Sequence, residues 1–203
     1  MNLSNPTRRR TFLQSAFAAA TAAFIGNKAE AVLTAEPAPA FAVDALYSST
    51  LSSTTLQGEV ADRLCIRKLV DAWAHYADRR IADRQAGLFT PDGVIYNYEG
   101  EPESHSPTST LRGRAEIVKA LAVLNQYKAT LHMNGQSDIA INGGHAVGET
   151  YCLAHQLSED QGKTTLEVLG IRYYDRFVRE NGAWFFIERK LIRDWTDKRP
   201  QPV

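Results

Sequence analysis

The sequence has no excess of either charge, because 23 Lys and Arg residues balance 23 Asp and Glu residues among 203. A formal net charge of +0 removes the electrostatic attraction that nucleic acid or an acidic membrane surface would need. We therefore expect neither of them as a partner. The 44% of hydrophobic residues is ordinary for a globular protein.

Cysteine is scarce, with only Cys65 and Cys152 in the chain. Two thiols cannot build a metal site by themselves, and we expect no metal and no cofactor. The two could pair in an oxidising compartment. However, Cys65 falls inside a predicted helix and Cys152 inside a predicted strand, so buried free thiols are the first interpretation and a disulfide the second.

The N-terminus carries a hydrophobic run that is too short for a stable membrane anchor. "RRRTFLQSAFAAATAAFIG" has a basic start and an Ala-rich apolar stretch, and "AEA" at residues 29–31 suits a cleavage site. Arg9 and Arg10, followed by Thr-Phe-Leu-Gln, resemble a twin-arginine export signal. Residues 1–31 are therefore predicted to be an export signal, with a periplasmic mature protein that has no membrane segment. An ordinary secretory signal is the alternative.

Residues 32–58 are rich in Ala, Pro, Ser and Thr without a sustained period, which predicts a flexible arm. A single domain is predicted over residues 59–198. Helical spacing of apolar residues predicts a helix from Glu59 to about Gln85 and a short second one over "RAEIVKALAVL". A β-rich run follows Pro91-Asp92-Gly93, and four more cover about 130–141, 146–157, 165–178 and 184–194.

The connections "NGGH" and "ENGA" predict hairpin turns, because Asn-Gly accepts the positive φ that such turns need. Helix, strand, helix and then an antiparallel meander indicate an α+β fold. A strongly curved antiparallel sheet covered by N-terminal helices would form a cone with an internal pocket.

Four polar residues fall on segments that should face this pocket or its surroundings. Arg189 lies among the apolar residues of the last strand, where a cation is costly unless it is paired or binds a ligand. Asp78 shares a stripe of the first helix with small residues, and could instead pair with a neighbouring arginine. His155 suits a satisfied core histidine or a ligand contact. His132 alternates with Leu131 and Met133, and alternation alone leaves its face undecided.

Three segments together resemble the SnoaL-like branch of the NTF2-like superfamily, the scytalone dehydratase-like proteins. They are "YADRRIADRQAGLFTPDGV", "LHMNGQSDIAINGGHAVGETYCLAH" and "GIRYYDRFVRENGAWFFIERKLIRDW". The resemblance spans about residues 59–197 and implies a cone-shaped α+β barrel that assembles as a homodimer or homotrimer.

Several enzymes of that superfamily share an aspartate at the end of the first helix and a histidine on the strand after the second helix. Asp78 and His132 match these positions, and Arg189 matches a family arginine five residues after the aromatic at Trp184. Two positions depart from the family pattern, because Gln136 replaces a common asparagine and Trp73 a lysine or tyrosine.

The resemblance implies a lyase of the dehydratase or elimination type that needs no cofactor and acts on a small apolar, aromatic or polycyclic substrate. His132 would take the proton, Asp78 would orient the imidazole, and Arg189 would bind the leaving oxygen or an oxyanion. The substrate pocket would be lined by the following residues: Trp73, Tyr96, Tyr98, Tyr151 and His155.

Other functions on this scaffold remain open at this point. One is a non-catalytic ligand-binding or assembly protein, favoured if His132 pointed outward. Others are an isomerase, a hydrolase, an aldehyde-releasing carbon–carbon lyase, or the small subunit of a ring-hydroxylating oxygenase.

Overall fold

The computed structural model describes residues 58–201, a mixed α+β arrangement. The predicted export signal at 1–31, and the predicted arm at 32–58 apart from its last residue, lie outside the described residues. The helices are α1 (Glu59–Arg79), α2 (Ala82–Gly87) and α3 (Gly113–Leu121), and a 3₁₀ turn covers Ala122–Gln126. Within residues 58–201 no helix combines the length and apolar character needed to cross a membrane.

Six strands form a single curved sheet that does not close into a barrel. They are β1 (Phe89–Glu99), β2 (Ser109–Arg112), β3 (Ala129–Asn142), β4 (His145–Asp160), β5 (Lys163–Glu180) and β6 (Ala183–Pro200). Their order is β2-β1-β6-β5-β4-β3, and β3 to β6 form the predicted antiparallel meander. Strand β1 runs parallel to β6, so the first strand lies next to the last, and β2 forms the edge beyond it.

The first helix is shorter than the sequence pattern predicts, because it ends at Arg79 instead of continuing to about Gln85. Arg80 adopts a left-handed conformation with φ 56°, and its backbone N–H donates to the carbonyl of Ala77. This left-handed cap ends the helical hydrogen-bond ladder. The helical pattern resumes as the separate α2.

The predicted turns are confirmed where Asn-Gly occurs between β5 and β6, since Asn181 has φ 51° and Gly182 φ 82°. Strand β2 was not predicted from the sequence. It is only four residues long and pairs with β1 at the sheet edge. Its burial pattern carries no strict alternation that a sequence could have revealed.

The core lies between α1 and one face of the sheet, which we call the inner face. Trp73 of α1 packs edge-on against Phe89 and Phe186, with ring centroids 5.7 and 6.5 Å apart. Phe186 also contacts Phe177 at 5.1 Å. These aromatic rings belong to the buried core, and Trp73 connects that core to the candidate site described below.

Candidate active site

The end of α1 is fixed beside the start of β3, and this brings Asp78 opposite His132. The Arg80 guanidinium donates to the carbonyl oxygens of Leu124 and Tyr127 at 3.1 and 2.8 Å. Both carbonyls belong to the segment that leads into β3. The left-handed Arg80 therefore ends the helix and also anchors it to the strand that carries the histidine.

Asp78 accepts two hydrogen bonds from the same residue. His132 Nδ1 lies 2.7 Å from Asp78 Oδ1, and the His132 backbone N–H donates to Oδ2 at 2.9 Å. An ionised carboxylate only accepts hydrogen bonds, so Nδ1 carries the proton and Nε2 keeps its lone pair. The backbone contact fixes the carboxylate as well, because both of its oxygens are held by one residue.

His132 faces the inner side of the sheet, while its apolar neighbours face outward. Leu131 and Met133 are 52% and 56% exposed, whereas the His132 side chain is 8% exposed. A prediction that places apolar residues inside would have put Leu131 and Met133 on the inner face and His132 on the outer face. The outer face also exposes Tyr151, Leu153 and Trp195.

A cavity of about 260 Å³ lies on the inner face, with His132 in its wall. Most of its wall is apolar, and its polar side chains come from the helical segment as well as from several strands. The lining residues from the helices and the 3₁₀ turn are Trp73, Ala77, Gln85, Leu121 and Leu124. Those from the strands are Asn97, Tyr98, Glu99, His132, Ala154, Gln156, Leu169, Ile171, Tyr173, Leu191 and Arg193.

One ion pair forms part of the cavity wall on its solvent side. Arg193 Nε donates to Glu99 Oε2 at 2.8 Å, and both side chains are about half exposed. Such an exposed pair contributes little to stability, on the order of 0–1 kcal/mol.

Arg189 does not line the cavity. Its guanidinium is fully buried and donates two hydrogen bonds of 2.7 Å to the carboxylate oxygens of Asp175. The guanidinium carbon lies 4.0 Å from the ring centroid of Tyr173 and 4.8 Å from that of Trp73. The arginine predicted to bind a leaving oxygen is therefore held behind two aromatic walls of the cavity.

A β-bulge explains how Arg189 reaches the inner face together with Phe186. Strict alternation would put residues three apart on opposite faces. The pairing with β5 skips Ile187, since Phe186 pairs with Phe177 and Glu188 with Arg176. Phe186 and Arg189 thus lie on one side, with the guanidinium 4.4 Å from the Phe186 ring centroid.

Three of the residues predicted to line the pocket lie elsewhere, whereas Trp73 and Tyr98 line it. Tyr151 and His155 alternate along β4 with Ala154 and Gln156, which line the cavity, so both lie on the outer face. There His155 Nδ1 lies 3.4 Å from the Leu131 carbonyl oxygen. Tyr96 lies below the Arg112 guanidinium at the sheet edge.

Sequence reasoning missed Tyr173, whose side chain is 1% exposed and lines the cavity. The Trp73 and Cys152 side chains are the polar neighbours of its hydroxyl. Burial raises the pKa of Tyr173 well above its ordinary value, and the nearby Arg189 charge opposes this. Inner-face alternation of Ile171, Tyr173 and Asp175 was the available signal, but no charge or histidine marked it.

Cys65 and Cys152 are both buried free thiols. Burial is the main cause that raises the pKa of Cys152 to about 11. Within residues 58–201 no three His, Cys, Asp or Glu side chains are grouped so as to hold a metal ion.

The family model described as a SnoaL-like domain matches residues 58–190. Uncharacterised proteins of Mycobacterium tuberculosis and Mycobacterium bovis are 26% identical to the chain over 133 residues, which is 64% of this chain and 84% of theirs.

Two similar solved structures share the fold. A proposed scytalone dehydratase from Novosphingobium aromaticivorans has a TM-score of 0.59 and 21% identity, covering 68% of this chain and 87% of that one. A hexachlorocyclohexane dehydrochlorinase has a TM-score of 0.57 and 18% identity, covering 70% and 90%. At these identities the likeness concerns the fold.

Proposed function

This chain belongs to the SnoaL-like domain family, and from the geometry of its cavity we propose that it is a lyase that works by general acid–base catalysis. The reaction is an elimination without a cofactor, on a small apolar substrate that contains an aromatic or polycyclic ring. One observation carries the proposal, the double contact of Asp78 with His132 in the wall of an apolar cavity.

His132 is the base, because its Nε2 lone pair is the one that Asp78 leaves free. It takes a proton from a carbon or hydroxyl of the substrate and becomes an imidazolium. Asp78 stabilises that cation through the 2.7 Å contact with Nδ1 and holds the ring in one tautomer. The imidazolium then returns the proton to the leaving group.

The cavity supports a small ring-containing substrate. Its apolar wall includes Leu121, Ala154, Leu169, Ile171 and Leu191, and its volume is about 260 Å³. Apolar clefts with a few convergent polar groups are typical of small-molecule sites. The names of the two similar structures, a dehydratase and a dehydrochlorinase, denote eliminations and support the same reaction class.

A second candidate is ligand binding without chemistry, and the position of Arg189 favours it. The cation that would neutralise a leaving group is engaged by Asp175 in the core. The proposed lyase must therefore stabilise the leaving group with other donors in the cavity.

A panel of cyclic and aryl β-hydroxy ketones, with the matching β-chloro ketones, tests the proposal. Formation of the unsaturated ketone is followed by absorbance, and deuterium uptake from D₂O at the carbon next to the carbonyl by mass spectrometry. We expect His132→Gln to lower the rate by roughly 10²- to 10⁴-fold. His145→Gln, at an exposed histidine at the start of β4, is the matched control and should keep the rate.

Equal rates in the wild type and His132→Gln would reject His132 as the base. Tight binding of the ketones with neither exchange nor product would favour the ligand-binding alternative. Export to the periplasm by the twin-arginine route and assembly into a homodimer or homotrimer stay predictions.

A further inference from the structure

Tyr173 is the one fully buried hydroxyl in the wall of the cavity within residues 58–201. We infer that this hydroxyl donates a hydrogen bond to an oxygen atom of the bound ligand, so that the cavity selects carbonyl compounds over hydrocarbons of the same shape. The inference deepens the proposed function and rests on it, because it takes the same cavity as the substrate site.

The hydroxyl hydrogen of Tyr173 has only a weak acceptor among its polar neighbours. The neighbouring Trp73 indole N–H can only donate, so it offers the Tyr173 hydrogen no acceptor. The Cys152 sulfur is then the one acceptor among these two polar neighbours of the Tyr173 O–H. Sulfur is a weak acceptor, and a ligand carbonyl oxygen would make a stronger hydrogen bond.

The Tyr173 ring, which carries this hydroxyl, is also held in position by the Arg189 guanidinium. The Arg189 guanidinium lies 4.0 Å from the Tyr173 ring centroid, and Asp175 fixes that guanidinium with two hydrogen bonds. Contacts of this kind between a cation and a ring are favourable where water is excluded. A donor whose position is fixed before the ligand arrives needs little reorganisation to stabilise a developing charge.

The donor keeps its hydrogen under ordinary conditions. Burial raises the pKa of Tyr173 well above its ordinary value. A tyrosine that stays neutral offers an O–H throughout the pH range in which a histidine base operates.

Base and donor belong to the same cavity and could act on one carbonyl substrate. His132 Nε2 removes the proton from the carbon next to the carbonyl, and the electrons of that C–H bond form the enolate. The Tyr173 O–H stabilises the enolate oxygen. The electron pair then returns, the bond from the β-carbon to its oxygen breaks, and the imidazolium protonates the departing hydroxyl to give water and an unsaturated ketone.

Acetophenone and α-methylstyrene form a matched pair of probes, because a C=O group in one replaces a C=CH₂ group of similar shape in the other. The measurement is the ratio of their dissociation constants for the full chain. We expect Tyr173→Phe to reduce the relative affinity for acetophenone by roughly 3- to 10-fold, the worth of one neutral hydrogen bond. Tyr174→Phe, at the neighbouring tyrosine whose hydroxyl accepts from Arg172 outside the cavity, should leave the ratio unchanged.

The infrared carbonyl band of bound acetophenone provides a second readout, and should move to higher frequency in Tyr173→Phe because its hydrogen bond is lost. If that variant does not fold, Cys152→Ala serves, since removing the competing acceptor should raise the relative affinity for acetophenone. An unchanged ratio and band in Tyr173→Phe, or an unchanged ratio in Cys152→Ala, would overturn the inference. A wild type that prefers acetophenone but turns over no ketone would reject the elimination and support Tyr173 as the donor.

Discussion

Two carboxylates of this fold each hold a nitrogen-bearing partner at 2.7 Å, yet their surroundings differ completely. The Asp78 and His132 side chains are 22% and 8% exposed beside the cavity, whereas Asp175 and Arg189 are 1% and 0% exposed in the core. Both carboxylates accept two hydrogen bonds from their partner. Contact distance therefore does not distinguish the candidate site from a structural pair.

The difference lies in what each partner can still offer. A guanidinium has no lone pair to accept a proton, and Asp175 holds two of the three Arg189 nitrogens. The imidazole of His132 has a second nitrogen that the carboxylate does not engage. The same kind of pair can act chemically only where one partner keeps such an atom next to a space that a substrate can enter.

Burial also gives the ion pair of Asp175 and Arg189 a large desolvation cost. Removing two charges from water costs free energy that their attraction only partly returns. Burial raises the pKa of Asp175 in spite of the nearby Arg189 charge, which is the sign of that cost. The guanidinium recovers some of it against the faces of Tyr173, Phe186 and Trp73.

The largest effect is expected from Asp78→Asn, which removes the charge and changes the tautomer. The amide oxygen would keep the contact with the His132 backbone N–H, so the amide NH₂ would face Nδ1. Nδ1 must then accept, and the proton moves to Nε2, where it blocks the base. We expect the elimination rate to fall by roughly 10²- to 10⁴-fold, measured with the ketone panel. The free energy of unfolding should change by only about 1 kcal/mol; a normal rate would show that the tautomer is not what Asp78 controls.

Arg189→Met should produce the largest loss of stability. It leaves a buried carboxylate without its partner, which costs about 3–5 kcal/mol in the free energy of unfolding, measured by urea denaturation. Adding Asp175→Leu should recover much of this loss, because the orphaned charge is then removed. Arg193→Met is the control from the exposed pair with Glu99, and should cost less than about 1 kcal/mol. Strictly additive losses in the double variant would contradict the assignment of Arg189 and Asp175 as one unit.

The sequence predicted a first helix from Glu59, the helix that follows β2, the meander and the Asn-Gly turn, because each depends on local spacing. The resemblance to the family then selected Asp78 and His132, which lie 54 positions apart and meet only in the fold. Periodicity alone could not choose the face of His132. On β3 the apolar Leu131 and Met133 point outward, against the usual pattern.

The remainder of the candidate site depends on register, which the sequence does not encode locally. Asp175 on β5 lies directly opposite Arg189 on the neighbouring strand β6 only because the pairing of the two strands skips Ile187. Whether Tyr173 or its neighbour Tyr174 faces inward depends on the register of β5 against both flanking strands. For this reason the partner of Arg189 and the tyrosine of the cavity wall became visible only in the structure.

The smallest expected effect tests the buried thiol of Cys152, which is influenced by charges of both pairs. Burial raises the pKa of Cys152 to about 11 from an ordinary value of 9.0, Arg189 favours the thiolate, and Asp78 opposes it. The unfolded chain therefore loses this proton first, and stability that is present below about pH 9 falls as the pH rises toward 11. At pH 10 this loss amounts to about 1 kcal/mol. Cys152→Ala should show a correspondingly flatter decline between pH 8 and 10 in urea unfolding. Equal slopes in the two proteins would mean that burial does not hold the thiol in its protonated form.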